Sequence, residues 1–245
     1  MSALPRIEVD NVSLAYRLDR ESVGTLKEFS IKLLTRRTTH EQFWALENMS
    51  FEVHQGEVLG VIGPNGAGKS TLMRLIARVL PPTNGRVVVR GMVAPMIALG
   101  AGFNPEMTAR ENVVLYGSIL GRSPAYMEER VAEIVRWADL EDFLDVPTRS
   151  FSSGMLARLA FSTATDVEPD IIVIDEILAV GDTAFKRKSQ ERIQSMIGKG
   201  ATVVLVSHAL PTVRRLSSRV MWIEKGHIKM LGDPEEVIAA YEAAS

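Results

Sequence analysis

The run GVIGPNGAGKSTLMRLI, residues 60–76, constrains this chain more than any other stretch. Apolar residues lead into it, and glycine and proline interrupt it. An amphipathic series then follows. Gly63, four further residues, then Gly68, Lys69 and Ser70 give the spacing of a phosphate-binding loop. Glycine lets the backbone curl until several N–H groups point at one anion, and the next helix presents its N-terminus to the same charge. An isolated glycine-rich turn would be weak support. This one follows a buried strand pattern and opens the helical pattern STLMRLIARVL, which should stop before Pro81 and Pro82. The loop residues Gly63, Asn65, Gly66, Gly68, Lys69, Ser70 and Thr71 are therefore candidate nucleotide contacts. Lys69 is placed to reach the β- and γ-phosphates, and the Ser70 hydroxyl to ligate Mg²⁺.

A second run, SFSSGMLARLAFSTATDVEPDIIVIDEILAVGD, extends from Ser150 to Asp182. Two carboxylates, Asp175 and Glu176, end an apolar strand pattern, where ionised acids are costly unless compensated. With Lys69 and a phosphate loop upstream, the compensating charge is Mg²⁺, with Asp175 as its carboxylate. Glu176 is then positioned to polarise an attacking water. Taken alone, the FSSGM turn reads equally well as a plain helix N-cap.

Around these runs the chain alternates strand and helix. RIEVDNVSLAY alternates apolar and polar residues as a half-buried strand does, FEVHQGEVLGVIG reads as a short strand, a turn at Gln55-Gly56 and a buried strand, GRVVVRGMVAPMIAL as one or two strands, and PDIIVIDE and TVVLVSH as buried strands. SPAYMEERVAEIVRWADL places Met127, Val131, Ile134, Val135 and Ala138 on one helical stripe, and AFKRKSQERIQSMI does the same with Phe185, Ile193, Met196 and Ile197. VMWIEKGHIKML predicts a hairpin turning at Lys225-Gly226. DPEEVIAAYEAA predicts a helix capped by Asp233. Strand, crossover helix and strand in succession imply an α/β core with a partly parallel sheet. There is no cysteine, so thiolate chemistry and Cys-based zinc sites are excluded, and the four histidines are scattered. A net charge of -2 argues against a broad nucleic-acid face. The N-terminus lacks a signal-peptide pattern, and no apolar run is long enough to span a bilayer, so the expected location is cytoplasmic.

On these motifs and their spacing the chain resembles the ATPase subunits of ABC transporters over nearly its whole length. The resemblance implies a single nucleotide-binding domain over residues 1–245, an α/β P-loop NTPase fold of the ABC ATPase type. Its parts are a mixed β core, an antiparallel β subdomain, a helical subdomain at about 105–165, and a C-terminal hairpin and helix at about 219–243. Phe151 to Met155 match the family signature, and Arg158 matches the arginine that usually follows. Ser152 and Gly154 are then implied to contact the γ-phosphate of ATP bound by a second copy. His208 falls at the switch position, where it senses that phosphate. Asp182 falls in the D-loop. Tyr16 falls where the family stacks a ring on adenine, although a rim tyrosine would read the same way. The catalytic set implied is Lys69, Glu176 and His208, with ATP and Mg²⁺.

In one respect the chain departs from the family. A glutamine is usual between the phosphate loop and the helical subdomain, yet there is none between Gln55 and Gln190. Gly100 or a neighbour falls at its place, and Glu106 is the nearest polar candidate. FWALENMSFEV, LGAGFNPEMTARENV, FSSGM and DEILAVGDTAFKRK resemble the branch that exports O-antigen and teichoic-acid polysaccharides. An insertion at about 20–42 contains TLKEFSIKLLTRR. There Leu26, Phe29, Leu33 and Leu34 form an apolar stripe beside Lys27, Lys32, Arg36 and Arg37. Such a segment suits a membrane-proximal interface over residues 24–37, or else covers its own domain. The chain ends at Ser245, just after the last helix pattern, which leaves no room for the sugar-binding domain that some O-antigen subunits carry. The partners implied are a second copy packed head to tail and a separate transmembrane permease, at the cytoplasmic face of the inner or plasma membrane. A soluble ABC ATPase, an exporter of another cargo, and a non-hydrolysing scaffold are the rival readings.

Overall fold

The structure is a computed structural model that describes residues 4–18, 41–97, 99–175 and 182–244. Glu176 and the stripe from Leu26 to Leu34 lie outside those residues.

Two sheets organise the chain. The first joins β1 (Ile7–Leu18), β2 (Glu41–Val53) and β4 (Asn84–Val89) in the antiparallel order β2-β1-β4. The second has six strands: β5 (Val93–Met96), β6 (Ile171–Asp175), β7 (Thr202–Val206), β3 (Val58–Ile62), β8 (Arg219–Glu224) and β9 (His227–Gly232), side by side in that order. All are parallel neighbours except β9, which returns antiparallel along β8. Strands β3 and β7 are buried along their whole length, as their unbroken apolar sequences require of strands covered on both faces. Pro95 has no N–H to give to a ladder, and β5 accommodates it by lying at the sheet edge.

Between strands run α1 (Lys69–Ile76), α2 (Ala109–Ile119), α3 (Pro124–Trp137), α4 (Ser153–Asp166), α5 (Thr183–Gly198), α6 (Leu210–Leu216) and α7 (Pro234–Ala244). Helices α2, α3 and α4 share their own core, with Val113, Met127, Val131, Ile134 and Leu159 at its centre. The stripe read for α3 is buried throughout. On α5, Phe185 and Ile193 are buried, whereas Met196 and Ile197 are only half covered. The three-helix layer meets the sheet through an aromatic cluster, in which Trp137 lies 5.7 Å from Phe161 and 5.3 Å from Phe185.

Two readings of the sequence change, and one left open is decided. The helix after the phosphate loop stops at Ile76 rather than Leu80, because Arg78 turns to φ 60 and the Val79 N–H returns to the Arg74 carbonyl. Residues 84–96 form two strands that belong to different sheets. The break comes at Gly91, whose φ of 120 and contact with Asp170 leave no space for a side chain. The alternation of β1 slips at Asn11, φ 47, so Ile7 and Val9 before the bulge and Val12 and Leu14 after it all face the core.

Candidate functional site

Strand β3 delivers the chain to Gly63 at the carboxyl end of the parallel sheet, the edge where open α/β folds bind ligands. A Cβ on Gly63 would sit 2.1 Å from the Ile223 carbonyl oxygen, and one on Gly68 would sit 2.5 Å from that of Ala45. Both residues have positive φ, so packing and backbone conformation each demand glycine. The loop is supported from its flank. The Gly226 N–H donates to the Ala67 carbonyl at 2.9 Å, and the Glu47 N–H to the Gly226 carbonyl at 2.9 Å. The hairpin turn at Lys225-Gly226 thus ties the loop to β2. Its sequence signal was visible, but its role was not.

Lys69 is buried, and its Nζ donates to the carbonyls of Gly63 at 2.7 Å and Pro64 at 2.9 Å. The Ser70 hydroxyl donates to Asp175 Oδ2 at 3.2 Å. That contact joins the first turn of α1 to the end of β6. A cleft of about 460 Å³ gathers Tyr16, Asn65, Gly66, Gly68, Lys69, Ser70, Thr71, Asp175 and His208. The Tyr16 hydroxyl lies 3.3 Å from Thr71 Oγ1. Phe43, which the sequence reading had not selected, lines the same cleft.

The oxygen pair of Ser70 and Asp175 fits a hard divalent cation such as Mg²⁺, which takes one or two protein oxygens and completes its shell with phosphate and water. Among the described residues no group of three or more His, Asp or Glu could hold a metal unaided.

Ser152 and Gly154 are absent from the cleft lining. They begin α4, where Ser152 Oγ accepts the Met155 N–H at 3.2 Å. That cap uses a lone pair and leaves the hydroxyl proton to donate outward. Ser152 and Ser153 are exposed. Behind them, fully buried Asn112 ties together the segment leading into α2. Its Oδ1 accepts the Asn104 N–H at 2.7 Å, and its amide lies 3.0 Å from the Met107 carbonyl and from Thr148 Oγ1. Arg158 donates to the Ala138 carbonyl at 2.8 Å and reaches Asp182 at 3.9 Å. Asp182 caps α5, and the Phe185 N–H holds its carboxyl below the ordinary value, assisted by the Ala184 N–H and Arg158. Glu106 pairs with Arg149 at 2.6 Å, and neither Glu106 nor Gly100 lines the cleft. The nearest polar candidate for the missing glutamine is therefore engaged elsewhere.

The family model described as ABC transporter matches residues 46–179. The chain is 41% identical over 242 residues to the O-antigen export system ATP-binding protein RfbB of Klebsiella pneumoniae, covering 98% of each. It is 37% identical over 238 residues to the teichoic acids export ATP-binding protein TagH of Shouchella clausii, covering 97% of this chain and 65% of that one. Among solved structures, an ATP-binding subunit of an ABC transporter superposes with a TM-score of 0.75 at 25% identity, covering 96% of this chain and 93% of that one.

Proposed function

This chain belongs to the ABC transporter family, and on that premise we propose that it hydrolyses ATP to power export of a lipid-linked polysaccharide, of the O-antigen or teichoic-acid kind, through a separate permease. The observation that carries the chemistry is the convergence of Lys69, Ser70, Asp175 and His208 on one cleft beside the glycine loop. The cargo class rests on the match of nearly full length to an O-antigen export subunit.

In this reading the triphosphate lies along the loop N–H groups and the N-terminus of α1. Lys69 sits where negative charge grows on the phosphoryl oxygens. Mg²⁺ held by Ser70 and Asp175 would withdraw charge from the phosphate oxygens. Glu176, next in sequence after Asp175, takes the proton of the attacking water, and His208 donates a hydrogen bond to the γ-phosphate. Ser152 and Gly154 act on the ATP of a second copy packed head to tail. The exposure of Ser152 and the position of both residues away from the cleft lining support that arrangement. Asp182 caps the helix that follows the D-loop. Among the described residues no helix is long and apolar enough to cross a membrane, in keeping with a peripheral subunit at the cytoplasmic face of the inner or plasma membrane. Residues 24–37, outside the described part, are assigned to contact with the permease or the membrane surface. The single nucleotide-binding domain with its β, helical and C-terminal parts remains our division of the chain.

The test is genetic and chemical together. Loss of this chain in its host should leave lipid-linked polysaccharide accumulating inside the cell, and the wild-type chain should restore surface polysaccharide. Lys69→Ala should fail to restore it because phosphate binding is lost. Glu176→Gln should fail while still binding ATP. Normal surface polysaccharide in the deletion strain would defeat the cargo assignment.

A further inference from the structure

A second cleft, of about 830 Å³, opens at the opposite end of the parallel strands. Asp170 and Ala201, which line it, immediately precede β6 and β7, whereas Asp175 and the glycine loop lie at the carboxyl ends. Its walls come from both layers of the chain. Tyr126, Arg130 and Trp137 of α3 and Asp166 of α4 form one side. Arg192, Ser195 and Lys199, along α5 and at its end, form the other. The nucleotide chemistry uses none of these residues.

Most of the charges in this cleft are already matched. Asp166 is buried and accepts two N–H groups of Arg130, at 2.8 and 3.0 Å. Glu133 pairs with Arg130 at 2.6 Å, Asp170 with Arg6 at 3.4 Å and Glu191 with Arg187 at 3.7 Å. Lys188 donates to the Trp137 carbonyl and to Asp139. Arg192 differs. Its guanidinium lies 4.7 Å from the centre of the Trp137 ring, and its side chain is only 25% exposed. Its ion pair with Asp166 is 3.8 Å long, too far for a hydrogen bond. The hydrogen bond to Asp166 raises the pKa of Arg130, whereas burial lowers that of Arg192 despite the same carboxylate. Asp166 therefore compensates Arg130. Arg192 is left as a largely desolvated cation short of acceptors among the described residues.

Ser195 and Lys199 follow Arg192 at spacings of three and seven, which keeps all three on one side of the helix. Lys199 is 72% exposed, and its contact with Glu168, at 3.9 Å, is loose. A guanidinium fork, a hydroxyl and an ammonium together suit an anion with several oxygens. A phosphate monoester has three such oxygens, and two cations match its double charge. The same cleft has an apolar wall of Tyr126, Pro169 and Met196. Its volume falls in the range of roughly 300–1,000 Å³ usual for small organic ligands, more than a lone phosphate fills.

We infer that this cleft binds a phosphate monoester of a small organic molecule, such as a sugar phosphate. The phosphoryl group lies on Arg192, Ser195 and Lys199, and the organic part lies against Tyr126 and Met196. The bound molecule bridges α3 and α5, at the seam where the three-helix layer meets the sheet. The site stands apart from the nucleotide cleft and does not depend on how that cleft is read.

Calorimetric titration of the full chain tests this, with glucose 1-phosphate and inorganic phosphate as probes and saturating MgADP present to fill the nucleotide cleft. Glucose 1-phosphate should bind once per chain, about threefold or more tighter than inorganic phosphate, because the sugar covers apolar surface. Arg192→Ala should weaken it by about tenfold or more, since a charge-assisted contact is lost. Lys199→Glu, at an exposed position that leaves the fold intact, should weaken it by about threefold or more. Lys69→Ala, titrated without nucleotide, should bind the probe as wild type does. Absence of glucose 1-phosphate binding at millimolar concentration would overturn the inference, as would wild-type affinity in Arg192→Ala or Lys199→Glu. Where Arg192→Ala does not fold, Lys199→Glu decides alone. Equal affinity for the two probes would make the occupant free phosphate and overturn the monoester assignment. Loss of binding in Lys69→Ala would place the probe in the glycine loop and overturn the site.

Discussion

The loop before α1 and the turn before α4 both end in a helix N-terminus and both carry a glycine at a proposed phosphate contact, yet they are built differently. The first is enclosed. Gly63 and Gly68 have backbone atoms where side chains would be, Lys69 is buried, and a hairpin turn ties the loop to β2. The second is open. Ser152 and Ser153 are exposed, and a Cβ on Gly154 would meet only Ser152 Oγ, at 3.8 Å. Packing explains the glycines of the loop. Among the described residues no packing contact demands that of the turn, which the proposed function assigns to the ATP of a second copy. On the proposed function, the first region is the half-site that binds ATP within one chain, and the second is the half-site offered to another copy.

The sharpest way to break this contrast is to add one methyl group to each region. Gly63→Ala should cost at least about 3 kcal/mol, since strain at positive φ adds to the clash with Ile223. A thermal melt should fall accordingly, and ATP binding should be lost. Gly154→Ala should leave the melt unchanged or raised, because alanine is the better helix residue, and should leave ATP binding intact. Its hydrolysis rate should nonetheless drop by tenfold or more. A Gly154→Ala chain that loses stability, or hydrolyses normally, would remove the distinction.

A smaller effect concerns the support of the open region. Asn112→Ala strands several buried polar groups and should cost about 2–3 kcal/mol. ATP affinity measured below the melt should not change, because Asn112 serves the segment behind α4 and does not line the cleft. A fall in ATP affinity would show that the two regions are not separable within one chain.

The smallest effect is a pH dependence at the cap of α5. The Phe185 N–H lowers the pKa of Asp182, so the ionised form is the one that folding favours. That stability is fully present above the ordinary carboxylate value of 3.8 and is lost as pH falls through the lowered folded value. The stability gap between wild type and Asp182→Ala in urea melts should therefore be wider at pH 7 than at pH 2.5. A gap independent of pH would mean that the charge contributes nothing.

The legible parts of this molecule are those that short stretches encode. The glycine loop, the stripe of α3 and the cap at Asp233 each depend on residues a few positions apart, and the structure has them as read. What escaped depends on distant partners. Phe43 faces the cleft because β2 pairs in register with Tyr16 across the insertion. The hairpin at Lys225-Gly226 matters because it meets Ala67, far earlier in the chain. Residues 84–96 read as strand material, but their division between two sheets is set at Gly91 by Asp170. The glutamine-free segment at Gly100 had a family counterpart to suggest a role, and Glu106 proves to be committed to Arg149.

The split site can be measured directly because the chain contains no cysteine. Asn65→Cys and Ser152→Cys chains, both substituted at exposed positions, would be mixed with Mg²⁺ and ATP and treated with a short bis-maleimide. A head-to-tail arrangement predicts a cross-linked dimer when the two variants are mixed, formed only with ATP, and little product from either variant alone. Cross-linking of Ser152→Cys to itself, or none in the mixture while ATP is bound, would contradict the account.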